Sequence, residues 1–192
     1  MTPGKPRNLA TYIFIGLIVI MGIEIIYLVV QNRILKNIIA DPTKYFRTLS
    51  KNEVVPSFSA QDIEGNDVEV NYAPDEPYTM LFWFGSTCSS CEDNIGYWKR
   101  LYGEYRSERL RFLGIFIGNP GSARRYVSAR QIEFPVLCAT HRYLVDVYRG
   151  HVLPQTMLVT PQGVVDGIWP GILRENEETA IIELIENLQD RW

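Results

Sequence analysis

The sequence predicts an α/β domain built on a mixed sheet and preceded by one transmembrane helix. Three observations lead there. Residues 78–84 (Tyr-Thr-Met-Leu-Phe-Trp-Phe) and 110–117 (Leu-Arg-Phe-Leu-Gly-Ile-Phe-Ile) are short, almost continuously apolar runs, the pattern of strands buried on both faces. Between them Ile95, Trp98, Leu101, Tyr102 and Tyr105 fall three or four apart, which predicts an amphipathic helix over 89–105. Residues 9–30 form a single long apolar run near the N-terminus.

A chain of 192 residues has room for one ordinary domain and an appendage. With 46% hydrophobic and 21% charged residues it is not a disordered composition. A net charge of -3 gives no reason to expect a nucleic-acid partner. The local basic cluster of Arg106, Arg109, Arg111, Arg124 and Arg125 is read as a solvated helix face interrupted by Glu104 and Glu108. The cysteines number 3, too few for a disulfide-stapled scaffold and unable to pair completely within the chain.

The run over 9–30 crosses a hydrocarbon layer of about 30 Å at about 1.5 Å rise per residue. Its one ionisable residue is Glu24, either tolerated among Ile, Leu and Val or facing a partner helix. The run is longer than a signal-peptide core and no small-x-small site follows it directly, so it reads as an uncleaved anchor. Helical spacing continues through Ile34, Leu35, Ile38 and Ile39 to about Ala40, where Asp41-Pro42 stops it. The expected organisation is therefore an anchor with helical extension over 1–40, a polar connector over 41–52 and a domain over 53–192. Lys5 and Arg7 before the span nearly balance Arg33, Lys36 and Lys44 after it, so charge does not orient it. Two of the cysteines stand as Cys88-Ser-Ser-Cys91, and a tethered dithiol domain has its use in an oxidising compartment, which is expected to place it outside the cytoplasm of a single-pass cell-membrane protein.

Along the domain, residues 62–66 read as a hairpin turn before a strand at 68–70, and 71–77 as a second turn region. After the strand at 110–117, Asn119-Pro-Gly-Ser122 leads into a helix over about 123–130. A strand at 134–138 and a short helix at 141–148 follow. Residues 155–160 pair with 164–168 across the turn at 161–163, and 175–188 form a last helix with Ile181, Ile182, Leu184, Ile185 and Leu188 inward. The closing hairpin makes the sheet mixed.

Cys88-Ser-Ser-Cys91 stands where the strand at 78–84 hands over to a helix. Unpaired N–H groups and the dipole at a helix start stabilise a thiolate, and two intervening residues let the sulfurs meet. Cys88 is then the attacking sulfur and Cys91 the resolving one. The competing readings are half of a zinc site, for which only Cys138, His141 and His151 are left over at unsuitable spacing, and an inert bridge. Glu92 and Asp93 suit a first helical turn but bring negative charge towards the thiols. Cys138 ends an apolar strand, so it is either a buried small hydrophobe or a third redox thiol. His141 and His151 are expected at the surface, with Asp146 as the nearby carboxylate.

These features together resemble the thioredoxin superfamily and, within it, the membrane-anchored TlpA-like and redoxin group. Val55-Pro-Ser-Phe-Ser-Ala-Gln-Asp-Ile-Glu-Gly-Asn-Asp-Val68 resembles that group's opening hairpin, and Phe82-Trp-Phe-Gly-Ser-Thr-Cys-Ser-Ser-Cys91 its strand-to-dithiol junction. Phe134-Pro-Val resembles the strand that follows its inserted unit, and Leu153-Pro-Gln-Thr-Met-Leu-Val-Thr-Pro-Gln-Gly163 its cis-proline stretch. The resemblance implies a thioredoxin-like fold with an N-terminal β-hairpin extension and an inserted β-α unit. It implies that Pro154 is cis and faces the dithiol, whereas the sequence read by itself makes Pro154 a plain strand-start proline. By the same likeness Thr87, Leu153 and Gln155 position an extended substrate.

Two departures stand out. The group usually has Trp before the first Cys, and here it is Thr87; Thr-Cys-x-x-Cys resembles a branch associated with methylamine-dehydrogenase maturation. Thioredoxin proper keeps an acid six residues before that Cys, and here it is Phe82, so deprotonation of Cys91 needs water or another group, with Asp62 and Glu64 as the candidates. The expected activity is reduction or isomerisation of disulfides in a cysteine-containing exported client, such as apocytochrome c, with a membrane dithiol electron donor and no cofactor. The alternatives are a peroxiredoxin-like thiol peroxidase and a non-enzymatic membrane-anchored assembly factor.

Overall fold

The computed structural model describes residues 9–40 and 48–189, divided between an N-terminal helical unit and a C-terminal domain. Helix α1 (Leu9–Ala40) is continuous, and its stretch Thr11–Ile34 is long and apolar enough to cross a membrane. Ile13, Phe14, Ile18, Ile26, Tyr27 and Leu28 are all exposed, so its apolar surface runs right round the helix. A soluble amphipathic helix carries one stripe instead. The Asp41-Pro42 stop and the connector as far as residue 47 lie outside the described residues.

The expected connector does not extend to residue 52. Leu49 is buried in the core, and Asn52 N–H donates to the Val165 carbonyl at 2.8 Å. Arg149 Nη1 holds the Thr48 carbonyl at 3.0 Å and a Glu53 carboxylate oxygen at 2.9 Å.

The domain runs β1 (Phe58–Asp62), β2 (Asp67–Val70), β3 (Tyr78–Gly85), α2 (Cys91–Tyr105), β4 (Leu110–Ile117) and α3 (Pro120–Arg130). It continues with β5 (Val136–Ala139), α4 (Arg142–Val147), β6 (Gln155–Val159), β7 (Val165–Pro170) and α5 (Glu175–Gln189). The strands form one sheet of seven in the order β2-β1-β5-β4-β3-β6-β7. Strands β3, β4 and β5 are parallel, joined by crossovers through α2 and α3 as parallel neighbours must be. Strands β6 and β7 add an antiparallel hairpin on one side, and β1 and β2 another on the other. The result is a thioredoxin-like α/β fold with additional strands.

Strand β3 is buried from Met80 to Phe84, which explains its unbroken apolar run. Met80, Phe82 and Phe84 face the cluster that takes in Trp98 and Leu101 of α2, Tyr126 of α3 and Ile181 and Ile185 of α5. Leu81 and Trp83 face the other cluster, with Leu144 of α4 and Tyr148 immediately after it. Helix α3 starts earlier than its apolar spacing suggests. Asn119 Oδ1 caps it by accepting from Ser122 N–H at 2.9 Å, with Pro120 in the first turn.

The five arginines do not share a helix face, because β4 begins at Leu110 in their midst. Arg111 is half-buried and donates to Thr79 Oγ1 at 2.8 Å and to the Asn71 carbonyl at 2.8 Å, while Arg124 holds the Ile63 carbonyl. Arg106, Arg109, Arg124 and Arg125 are exposed, as expected of solvated residues, while Arg111 fastens the sheet margin.

Gly150 lies against Trp83, where an added Cβ would come within 2.5 Å of the buried indole ring. Gly150→Ala is expected to destabilise the domain by about 1–3 kcal/mol through overpacking, read as a lower urea midpoint at unchanged slope.

Candidate functional site

The dithiol sits at the carboxyl end of β3, the end of a parallel sheet where ligands are bound. Gly85 closes the strand and a turn follows, with Cys88 N–H donating to the Gly85 carbonyl at 3.2 Å and Cys91 N–H to the Cys88 carbonyl at 3.3 Å. Helix α2 begins only at Cys91, with Ser90 in the cap position and no side-chain cap. The expected helix start at Ser89 is thus two residues early, because the turn closed by the Cys91 N–H to Cys88 carbonyl bond spans the two serines. Cys91 is the first helical residue, and Cys88 lies in the turn before it.

The two sulfurs are joined as a disulfide, with Cα atoms 5.4 Å apart. The partners are unequal. Cys91 is fully buried, while Cys88 is half-exposed, with its sulfur 3.6 Å from Ser90 Oγ. Thr87 is exposed beside it.

The Leu153–Pro154 peptide is cis. Strand β6 then starts with Gln155 opposite Trp83 and Thr156 opposite Phe82. Antiparallel register therefore brings Leu153 and Pro154 back along the carboxyl end of β3. A Cβ on Gly85 would lie 3.6 Å from Leu153 Cδ1. Pro154 is buried, and Gln155 is fully buried in the sheet, its side-chain amide atoms without a hydrogen-bond partner among the described residues.

A polar chain absent from the sequence reading ties the dithiol helix to this segment. Asn94 is 1% exposed, one turn after Cys91. Its Nδ2 donates to the Gly171 carbonyl at 3.1 Å and its Oδ1 accepts from Leu173 N–H at 3.0 Å. Gly171 N–H in turn donates to the Pro154 carbonyl at 2.7 Å. The signal was available: Asn94 sits beside Ile95 on the stripe that continues through Trp98 and Leu101, a polar residue on an apolar face. Asn94→Ala removes the partner of the buried Leu173 N–H and of the half-buried Gly171 carbonyl and is expected to cost about 1–3 kcal/mol in urea unfolding. The same variant is expected to slow disulfide exchange, because Cys91 and Pro154 lose their shared brace.

Phe82, standing where thioredoxin proper has an acid, is fully buried and stacks on Trp98 with ring centroids 4.9 Å apart. Asp62 does not replace that acid. Its carboxylate closes the β1–β2 turn, accepting from the N–H groups of Glu64 at 2.9 Å and Asn66 at 2.8 Å and from the Asn66 side chain at 2.9 Å. These bonds, the Asn66 side chain first, hold its pKa below the usual carboxylate value.

Glu92 is also drawn into a pairing, with Arg130 and Tyr126 of α3. The hydrogen bond from Arg130 is the main cause that lowers the Glu92 pKa. His151 Nε2 lies 3.1 Å from an Asp146 carboxylate oxygen at the surface.

Cys138 is the small buried hydrophobe of the first reading. It is 1% exposed on β5, two strands from β3, with its thiol 3.9 Å from the Asp62 carbonyl. Burial pushes its pKa up to about 11. At pH 8 about one such thiol in a thousand is ionised. With the disulfide intact, a chromogenic disulfide reagent is therefore expected to find no thiol in the native chain and to find Cys138 after unfolding in guanidinium.

A thioredoxin-like fold carrying a Cys-x-x-Cys disulfide at the carboxyl end of the interior strand β3 defines a thiol–disulfide oxidoreductase. The chain belongs to the AhpC/TSA family, which matches residues 52–168. It is 25% identical over 142 residues to the thiol-disulfide oxidoreductase ResA of Halalkalibacterium halodurans, covering 73% of this chain and 80% of that one. It is likewise 25% identical over 140 residues to ResA of Bacillus subtilis, covering 72% and 78%. Among solved structures, a thiol:disulfide interchange protein of the thioredoxin family from Chlorobium tepidum superposes with a TM-score of 0.57 at 19% identity, covering 72% of this chain and 99% of that one.

Proposed function

We propose that this chain reduces or isomerises disulfides of exported client proteins from a membrane anchor, with its domain outside the cytoplasm. The observation that carries the reading is the unequal pair, a half-exposed Cys88 bonded to a buried Cys91 at the carboxyl end of β3, the end to which the β6 register returns the chain. In the reduced state the Cys88 thiolate attacks one sulfur of a client disulfide. A mixed disulfide forms, and the client's other sulfur leaves as a thiolate that takes up a proton. Cys91, having lost its proton to water, attacks Cys88 and releases the second client thiol. Two electrons and two protons have then passed to the client, and Cys88–Cys91 is a disulfide again. A membrane dithiol donor restores it by the reverse exchange.

Thr87, Leu153 and Gln155 flank the pair in this reading, with the main chain next to Pro154 aligning an extended client segment. The residues that follow Cys88 are Ser89 and Ser90, with no His or Lys to stabilise a thiolate further. This supports a reducing or isomerising role over that of a strong oxidant. The client is an exported protein with a cysteine pair, apocytochrome c among the candidates. The β1–β2 hairpin is taken as the N-terminal extension of the thioredoxin core, β4–α3 as the inserted unit, and 41–47 as the tether to an anchor at 9–30.

The test is insulin-disulfide reduction by the full chain in detergent micelles with dithiothreitol as donor, run beside hydrogen peroxide turnover. Insulin reduction without peroxide turnover is the expected result. Peroxide turnover without disulfide exchange would overturn the reading in favour of a peroxidase, and inactivity in both would leave an assembly factor. Labelling of an introduced surface cysteine by a membrane-impermeant maleimide reads the orientation.

A further inference from the structure

We propose that Arg130, at the end of α3, sets the reactivity of the dithiol by neutralising Glu92, the residue next to Cys91. The inference rests on the reading of Cys88 and Cys91 as the redox pair. A carboxylate in the first turn of α2 interacts well with the helix dipole, but it competes with a thiolate for the same positive end and repels it. The fold removes that conflict. Glu92 Oε1 accepts from Arg130 Nε at 2.6 Å, forms a second contact with Arg130 Nη2, and accepts from the Tyr126 hydroxyl at 3.3 Å.

Arg130 is itself held in place. Its guanidinium lies 3.8 Å from the centroid of the Tyr126 ring, and its main-chain carbonyl accepts from Lys99 Nζ of α2 at 3.3 Å. Tyr126 is buried against Phe84 at 5.5 Å and Phe116 at 5.6 Å, at the carboxyl ends of β3 and β4. The charged and titratable groups that meet Glu92 are thus Tyr126 and Arg130 on α3, with Asp93 next to it in the chain and Lys99 reaching only the Arg130 carbonyl. Glu92 and Arg130 side chains are 45% and 32% exposed, so solvent screens the pair and limits its influence to fractions of a pKa unit.

The test uses the full chain in detergent, reduced, as wild type, R130M, E92Q and the double variant. The readouts are the Cys88 thiol pKa, from the pH dependence of iodoacetamide alkylation, and the dithiol–disulfide equilibrium with glutathione at a pH above that pKa. In R130M the uncompensated Glu92 is expected to raise the thiol pKa by about 0.5 and to move the equilibrium about threefold towards the disulfide, about 14 mV more reducing. E92Q leaves the guanidinium without its carboxylate and moves both readouts the opposite way, independently of how well R130M folds. The double variant returns both towards wild type, which loss of packing alone would not do. Unchanged values in both single variants, or a double variant that stays at the R130M values, would overturn the proposal. A wild-type pair that does not exchange with glutathione at all would instead remove the redox reading beneath it.

Discussion

Cys88→Ser is expected to bring insulin reduction by the full chain down to the uncatalysed background, whereas Cys91→Ser keeps the first chemical step and loses the second. The asymmetry follows from burial. Cys88 presents a half-exposed sulfur in the turn after β3, while Cys91 is enclosed as the first residue of α2. A client can reach the first and not the second. With Cys91 replaced, the mixed disulfide on Cys88 has no internal thiol to resolve it. The C91S chain should therefore accumulate a covalent client adduct that runs as a larger species on non-reducing gels and disappears with reductant. Equal loss in both variants with no adduct from C91S would show that the assigned order of attack is wrong.

Trp98→Ala is expected to produce the largest loss of stability, about 3–5 kcal/mol. Trp98 is fully buried, stacks on Phe82 and donates its indole N–H to Thr156 Oγ1 at 2.9 Å. Truncation opens a cavity between α2 and the sheet and strands a buried hydroxyl as well. Against a typical total of about 5–15 kcal/mol for a domain, that is a large share. Urea unfolding followed by tyrosine and tryptophan fluorescence measures it. Thr156 lies two residues after Pro154, so the same change loosens the packing between the dithiol helix and the cis-proline strand. W98A is therefore expected to lose exchange activity at temperatures where the variant is still folded.

Strands β3 and β4 were plain in the sequence because burial on both faces leaves no polar alternation to confuse them. The Cys-x-x-Cys pair was equally plain, and the cis geometry of Pro154 came from resemblance rather than from any property of the residues around it. The start of α2 was displaced because serine suits a helix cap and a tight turn alike, and residues 86–90 form the turn. Asn94 could have been found as a polar residue on an apolar stripe. Arg130 could not, since its partner Glu92 lies 38 residues away and only the packing of α3 on α2 joins them. The seating of Leu49 was hidden for the same reason: its neighbours are polar, and its pocket is made by distant parts of the chain.

Cys138 adds a bookkeeping problem that the fold solves by geometry. A chain with 3 cysteines has three ways to make one internal bond, and two of them consume Cys138 and leave a single active-site sulfur unpaired. Chain proximity favours the pair separated by 3 positions, but proximity only biases the choice. Enclosing Cys138 on β5, with its proton held on, withdraws it from exchange in the folded chain. In the proposed turnover, when Cys88 is joined to a client and seeks a second thiol, Cys91 is then the one internal cysteine able to answer, and every mixed disulfide has one intramolecular way out.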